Sequence, residues 1–214
     1  YPEVYSGSRK VKEERLLEIT RSYLYKDILE LEDVRNSSSI DKLISALALQ
    51  LGSEVSLREL SNLLDLHIGT VERYIDLLEK NYVIYRLPPY YTNERKVLSK
   101  QNKIYFYDLG IRNAVINNFN QLSKRNDRGT LWENFLINER MKLNSYTNRH
   151  VSNFFWRTYD GAEVDYIEQY ADSLDGFEFK WSKVKNAPKS WLEYSNATYN
   201  LVNIDNYKEF LKIN

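Results

Sequence analysis

FFWRTYDGAEVDYIEQYADSLDGFEFKW, residues 154–181, decides how this chain is read. Two apolar-aromatic runs flank a polar, glycine-containing centre. The first leads into Glu163-Val164-Asp165 and the second ends on Glu178-Phe179-Lys180. Side chains alternate across a β-strand with a period of two. Glu163 and Asp165 therefore share one face, and Glu178 and Lys180 share one. Paired as an antiparallel hairpin, the runs bring three carboxylates and an ammonium together. Desolvated charges are expensive unless compensated, and a divalent cation would supply that compensation.

The flanking segments extend the pattern. TLWENFLINERMKL, residues 130–143, predicts a helix with Leu131, Phe135, Leu136 and Met141 on its apolar face. Glu133 falls in the expected first turn, where the helix dipole favours a carboxylate. NSYTNRH predicts a polar loop into the opening stretch. Beyond it, WSKVKNAPKSWLEYSNA is basic and predicts a loop and a helix, TYNLVNI a strand, and NYKEFLKI a terminal helix. The expected order from Gly129 is helix, three strands, helix, strand, helix.

The first half reads differently. Residues 10–31 place Leu16, Leu17, Tyr23, Leu24 and Ile28 at helical spacing. Residues 40–51 predict a core helix that Gly52 ends. Ser56 with Glu59 three residues on forms a capping box for the next helix. After the turn DLHIG, residues 70–80 predict a third helix with Thr70 as N-cap and Val71, Tyr74, Ile75 and Leu78 inside. His67 reads as a turn residue. YVIYRL predicts a strand, Pro88-Pro89 a break, TNERK a polar tip, and residues 103–107 a second strand. Asp108 opens a short helix, LGIRNAVI, and residues 117–129 form a polar loop.

Helix, helix, turn, helix and two-stranded wing resembles a winged helix-turn-helix, whose post-turn helix can enter a DNA major groove. Thr70 and Arg73 on that helix, with Arg86, Arg95 and Lys96 on the wing, are the candidate DNA contacts; Lys100 and Lys103 add charge to the wing. Glu72 and Asp76 would repel phosphate, so a packing or protein-contact role stays open for this module.

Glu133 on a helix, Asp165 on a strand and Glu178-x-Lys180 on the next strand resemble the PD-(D/E)XK nuclease fold. That resemblance implies Glu133, Asp165 and Glu178 as ligands of Mg²⁺, and Asp165, Glu178 and Lys180 as the catalytic set. The lysine would orient the attacking water. Glu163 reads as an accessory or solvent-facing acid, and Trp156 and Arg157, just upstream, could meet a nucleic-acid backbone, although Trp156 reads more readily as a core residue. The Asp lies in EVDY with no preceding Pro, a departure from the strict motif.

The phrases YPEVY, YLYKDI, LSNLLDLHIGTVERYIDLLEKNYVIYRLPPY, KIYFYDLGIRNA, GTLWENF and FEFKWS, in this order, are similar to the C-terminal half of bacterial and archaeal AAA-type P-loop ATPases. The resemblance implies α+β or α/β architecture: a winged helix followed by a restriction-endonuclease-like mixed sheet with flanking helices. The implied domains are a linker helix over 1–36, a winged helix over 37–108 and a nuclease-like domain over 109–214. No G-x-x-x-x-G-K-[ST] occurs, so ATP would bind only in an N-terminal domain outside this sequence. The chain opens at Tyr1 without an initiator Met and reads as a fragment.

Composition bounds the function classes. The net charge is zero, so nucleic-acid affinity would need a local basic patch. There is no cysteine, which removes disulfides, thiolate metal sites and cysteine nucleophiles and makes a cytoplasmic location the natural expectation. Two histidines, His67 and His150, do not build a multi-His zinc site. The longest nearly apolar run, residues 43–51, is far short of the ~18 residues that a membrane span needs. Expected partners are the chain's own ATPase domain and DNA. A Mg²⁺-dependent nuclease, a non-catalytic regulatory or interaction module, and a scaffold in a toxin or defence system are the competing functions.

Overall fold

The computed structural model describes residue 4 and residues 7–27, 37–91, 101–182 and 185–212. It has mixed α+β architecture and divides into two compact units, Tyr1–Arg86 with Ile104–Lys124, and Leu87–Lys103 with Arg125–Asn214. No helix among the described residues is long and apolar enough to cross a membrane.

The first unit is mainly helical. Helix α1 spans Arg9–Arg21 and passes into a π-helical segment, Ser22–Asp27. The uninterrupted helix expected through residue 31 is thus altered at Ser22, and residues 28–31 lie outside the described residues. Helix α2, Ser37–Leu49, buries Ile40, Leu43, Ile44 and Leu47. Gly52, with φ of 71°, follows it. Helix α3, Leu57–Leu64, is capped by Ser56, whose hydroxyl accepts the Glu59 amide at 3.3 Å. It closes on Asp65 in the left-handed region.

Helix α4, Ile68–Lys80, starts earlier than the sequence predicts. His67 is its N-cap, and the ring Nδ1 accepts the Gly69 amide at 3.2 Å. Thr70 therefore lies inside the first turn and does not cap. An imidazole nitrogen offers the same acceptor as a hydroxyl, which is how His67 takes that role. Val71, Tyr74, Ile75 and Leu78 are buried, as their spacing predicts. Strands β1, Ile84–Leu87, and β2, Lys103–Phe106, form a two-stranded sheet. Helix α5, Leu109–Val115, is capped by Asp108, which accepts the Ile111 amide at 2.9 Å.

The second unit is a four-stranded mixed sheet with helix α6, Arg128–Tyr146. The sheet order is β3-β4-β5-β6: Ser152–Arg157, Glu163–Tyr170, Ser173–Phe179 and Ala197–Val202. The first two junctions are antiparallel, and β5–β6 is parallel. A parallel neighbour requires a crossover. Among the described residues, the crossover here is built of turns and irregular backbone, where the sequence reading expects a loop and a helix. Trp191 explains the difference. Its ring is fully buried, its indole N–H donates to the Thr198 carbonyl at 2.8 Å, and Leu192 beside it is exposed. Trp191, with Tyr194 packed beside it, covers this face of the sheet from a turn.

Helix α6 begins before Thr130 and runs on through Asn144–Tyr146, the start of the expected loop. No acid falls in its first turn, so Glu133 does not owe its place to the helix dipole. Polar side chains on α6 are buried beside the apolar ones. Arg140 forms two bonds to Glu168, at 2.7 and 2.9 Å, and Asn144 and Arg149 add bonds of 2.6 and 2.9 Å to the same fully buried carboxylate. Arg149 also reaches Asp175, and Arg140 donates to the Phe210 carbonyl. The short helix α7, Tyr207–Phe210, is thereby tied to α6 and β4. A buried carboxylate survives desolvation only with such full pairing.

Candidate functional site

The site starts from an irregularity in β4. Phe154 pairs with Ile167 and Trp156 with Val164. Two residues, Asp165 and Tyr166, stand opposite one, Phe155, so β4 carries a β-bulge there. A bulge re-aims side chains and bends its strand. Its effect is visible in the core, where Val164 and Ile167 join Trp156, Leu174 and Trp191 in one cluster. Strict alternation would put residues three apart on opposite faces.

Past the bulge, β4 and β5 part. Their last pair is Tyr166 with Phe177. The carboxylate of Asp165 replaces the missing ladder bond and accepts the Phe179 amide at 2.8 Å. Lys180 Nζ lies 3.4 Å from the same oxygen of Asp165 and 2.6 Å from Glu178 Oε1. Asp165, Glu178 and Lys180, which the sequence singles out, are thus brought together. Asp165 is 5% exposed and Glu178 is fully buried.

Two partners escape the sequence reading. Lys185 Nζ lies 2.6 Å from Glu178 Oε1. Lys103, counted among the wing cations, belongs to the second unit with its amine buried. Lys103 Nζ is 2.6 Å from Glu163 Oε1 and 3.3 Å from Glu133 Oε1, and it lies over the Phe155 ring. Glu133 and Glu163 therefore meet at Lys103.

The charges perturb one another. Burial, then the neighbouring charge of Asp165, pushes the Glu178 carboxyl above its usual range, against the pull of Lys180 and Lys185. Burial also disfavours the ammonium of Lys180, but Asp165 and Glu178 outweigh it and hold its pKa up. Lys103 behaves likewise: burial is overcome by Glu133, Glu163 and Asp165 together. For Glu163, burial is outweighed by Lys103, with Arg157 and Lys185 helping, and its pKa is lowered. Burial and then Glu178 and Asp165 push the Tyr199 phenol up to about 12. One electrostatic cluster thus joins Lys103, Asp165, Glu178, Lys180 and Tyr199.

The donor set suits a hard cation in part. Glu178 Oε2 is buried without a hydrogen-bond partner among the described residues. Asp165 and Glu178 offer carboxylate oxygens, the ligands Mg²⁺ takes, and Mg²⁺ commonly binds one or two carboxylates and completes its shell with water and phosphate. Among the described residues, no group of three or more Asp, Glu, His or Cys side chains is gathered to hold a metal.

Three of the candidate DNA contacts, Thr70, Arg73 and Arg86, lie in the first unit. Thr70 is half-buried and Arg73 exposed, its guanidinium 5.5 Å from the Tyr74 ring centre. Arg86 is held by Asp76 and by Glu79, the latter at 3.0 Å, and ties β1 to α4. Arg95 and Lys96 lie outside the described residues.

Comparison with known proteins also divides the chain in two, with Leu87–Lys103 of the second unit falling in the first match. A family model described as a domain of unknown function, DUF8612, matches residues 1–122. The chain belongs to this family. A second model of a domain of unknown function, DUF4143, matches residues 128–205. Uncharacterized proteins of Mycobacterium tuberculosis and Mycobacterium bovis are each 26% identical over 171 residues, covering 79% of this chain and 38% of theirs. An uncharacterized protein of Methanocaldococcus jannaschii is 32% identical over 94 residues, 43% of this chain and 20% of its own. The chain therefore spans about two fifths of the length of its mycobacterial relatives. No solved structure matches it.

Proposed function

We propose that this chain is the C-terminal part of an AAA-type ATPase. In this reading a winged helix docks on DNA and a PD-(D/E)XK nuclease-like module carries a Mg²⁺-dependent phosphodiester site. The DUF4143 match supports the ATPase association, because that domain is found in AAA-type proteins. The order α2, α3, α4, β1, β2 supports the winged helix, and α6 beside β3–β5 supports the nuclease-like module. ATP would act in an N-terminal domain.

The observation that carries the reading is the meeting of Asp165 and Glu178 at the Lys180 amine, with Glu178 Oε2 buried and unpartnered. Asp165 and Glu178 would hold the ion. Bound Mg²⁺ would supply charge neutralisation on the phosphoryl group and a more acidic water. Lys180 donates from the rim of the pair, where a half-buried ammonium can orient a water. Glu178 must be ionised to bind metal, and Lys180 with Lys185 favours that form. The test is incubation of the chain with single- and double-stranded DNA in Mg²⁺ or Mn²⁺. Metal-dependent cleavage that disappears in Asp165→Asn and Lys180→Ala supports the reading. Intact DNA under all conditions removes the enzymatic part.

A second reading, a non-catalytic regulatory or interaction module, is favoured by the two lysines, Lys180 and Lys185, that already pair with these carboxylates. It predicts salt-sensitive DNA binding without cleavage, or a protein partner in place of DNA. Phosphate contacts weaken steeply as salt rises, so DNA affinity that ignores salt would argue against DNA as the partner.

A further inference from the structure

The cluster around Lys103 is the part of the site that the nuclease-like pattern does not account for. Lys103 leaves the start of β2 and its side chain is 4% exposed. It meets Glu163 Oε1 at 2.6 Å and Glu133 Oε1 at 3.3 Å, with the Phe155 ring below it. Asp165 also acts on it electrostatically. Two carboxylates, Glu133 on α6 and Glu163 on β4, thus hold one ammonium, and the charge of Asp165 on β4 adds to theirs. Removing that ammonium would leave two facing carboxylates, largely shielded from solvent, and a divalent cation can bind through one or two carboxylates with water completing its shell.

We propose that Lys103 is a built-in cation that stands where a second divalent metal would otherwise bind, so that the module takes a single metal at Asp165 and Glu178. The proposal rests on the metal-site reading above. Lysine suits the role because its ammonium is a compact point charge with three donors. Unlike a metal, it stays in place when the metal concentration falls. Glu133 is thereby a partner of Lys103 and does not bind the metal, although the sequence pattern makes it a ligand. Asp165 is the hinge of the arrangement: it feels Lys103 on one side and touches Lys180 on the other.

The experiment is titration of the purified chain with Mn²⁺, read by calorimetry and by the paramagnetic signal of free Mn²⁺. Lys103→Met keeps the length of the side chain and removes the charge. The proposal predicts one more bound Mn²⁺ per chain in Lys103→Met than in the unaltered protein, and no extra ion in Lys103→Arg. Lys103→Met should also melt lower than the unaltered chain without metal and recover on adding Mn²⁺, because a ligand that binds the folded state stabilises it. Equal stoichiometry in the unaltered chain and Lys103→Met overturns the proposal. Should Lys103→Met fail to fold, Glu133→Gln decides. Mn²⁺ affinity within about twofold of the unaltered chain supports the proposal, and a loss of about tenfold or more, typical of disturbing a metal's ligand shell, overturns it. The metal-site reading fails separately: the unaltered chain would bind no Mn²⁺, while Lys103→Met could still gain one.

Discussion

Asp165 accepts the backbone amide of Phe179 at 2.8 Å, beyond the last paired position of the β4–β5 ladder. The side chain does what a backbone carbonyl does elsewhere in the sheet, and it holds open the gap where Glu178 and Lys180 meet it. Structure and candidate chemistry therefore converge on one carboxylate. Asp165→Ala should cost about 1–3 kcal/mol of stability, the penalty for a buried donor left without a partner. Asp165→Asn keeps an acceptor and should cost less. Urea denaturation checks both, and equal losses would mean that the amide does not depend on this side chain.

Glu168 should be the most sensitive polar residue of the second unit. It is fully buried and receives Arg140, Arg149 and Asn144. Removing one partner of a buried ion pair leaves the other charge uncompensated, at about 3–5 kcal/mol. Glu168→Ala should lose stability on that scale, measured by chemical denaturation. Arg149→Ala should lose less, because its side chain is 34% exposed. A near-neutral Glu168→Ala would show that the network contributes nothing net.

Gly176 should not tolerate a methyl group. A Cβ at this position would stand 2.9 Å from the Thr198 carbonyl oxygen and 2.9 Å from the Trp191 ring. Neither can yield easily, since one is β6 backbone and the other a buried ring. Overpacking typically costs about 1–3 kcal/mol, so Gly176→Ala should lower the urea midpoint, and Trp191 fluorescence should shift with it. An unchanged midpoint would mean that the β5–β6 junction is looser than its contacts imply.

Glu163 should stabilise the fold at neutral pH and lose that effect in acid. Burial works against its charge, but Lys103 outweighs it and lowers the folded-state pKa below the unfolded value, which is about 4.3. For an acid with a depressed folded pKa, the stabilisation is present above the unfolded value and vanishes as pH falls through the folded one. The difference in unfolding free energy between the unaltered chain and Glu163→Gln should therefore shrink below about pH 4.3. Glu178 has the opposite sign, because burial and Asp165 raise its pKa. Its contribution is present below the unfolded value and is lost as pH rises through the folded one. A Glu163→Gln difference that stays constant with pH would contradict the ion pair with Lys103.

Much of this was legible in sequence because it is local. Ser56 and Asp108 announce their caps, and the Glu178-x-Lys180 spacing survives folding because β5 is regular up to Phe179. The bulge at Asp165 was not legible: Val164-Asp165-Tyr166-Ile167 contains no Gly or Pro to mark it. His67 took the capping role assigned to Thr70 because a ring nitrogen is an equivalent acceptor. Lys103 reads as a wing cation in sequence because its carboxylate partners come much later in the chain. One signal was available, since Lys103 opens an otherwise apolar strand, KIYF, where a charge needs a buried partner. Arg86 illustrates the converse, an apparent phosphate contact that folding assigns to Asp76 and Glu79.

The central claim is that Asp165 and Glu178 together hold one divalent ion beside Lys180. Mn²⁺ titration of the unaltered chain, Asp165→Asn and Glu178→Gln, with circular dichroism confirming the fold of each, tests it most directly. The account predicts one site in the unaltered chain and an affinity lower by about tenfold or more in both variants. Absence of Mn²⁺ binding, or binding that neither substitution weakens, would contradict it.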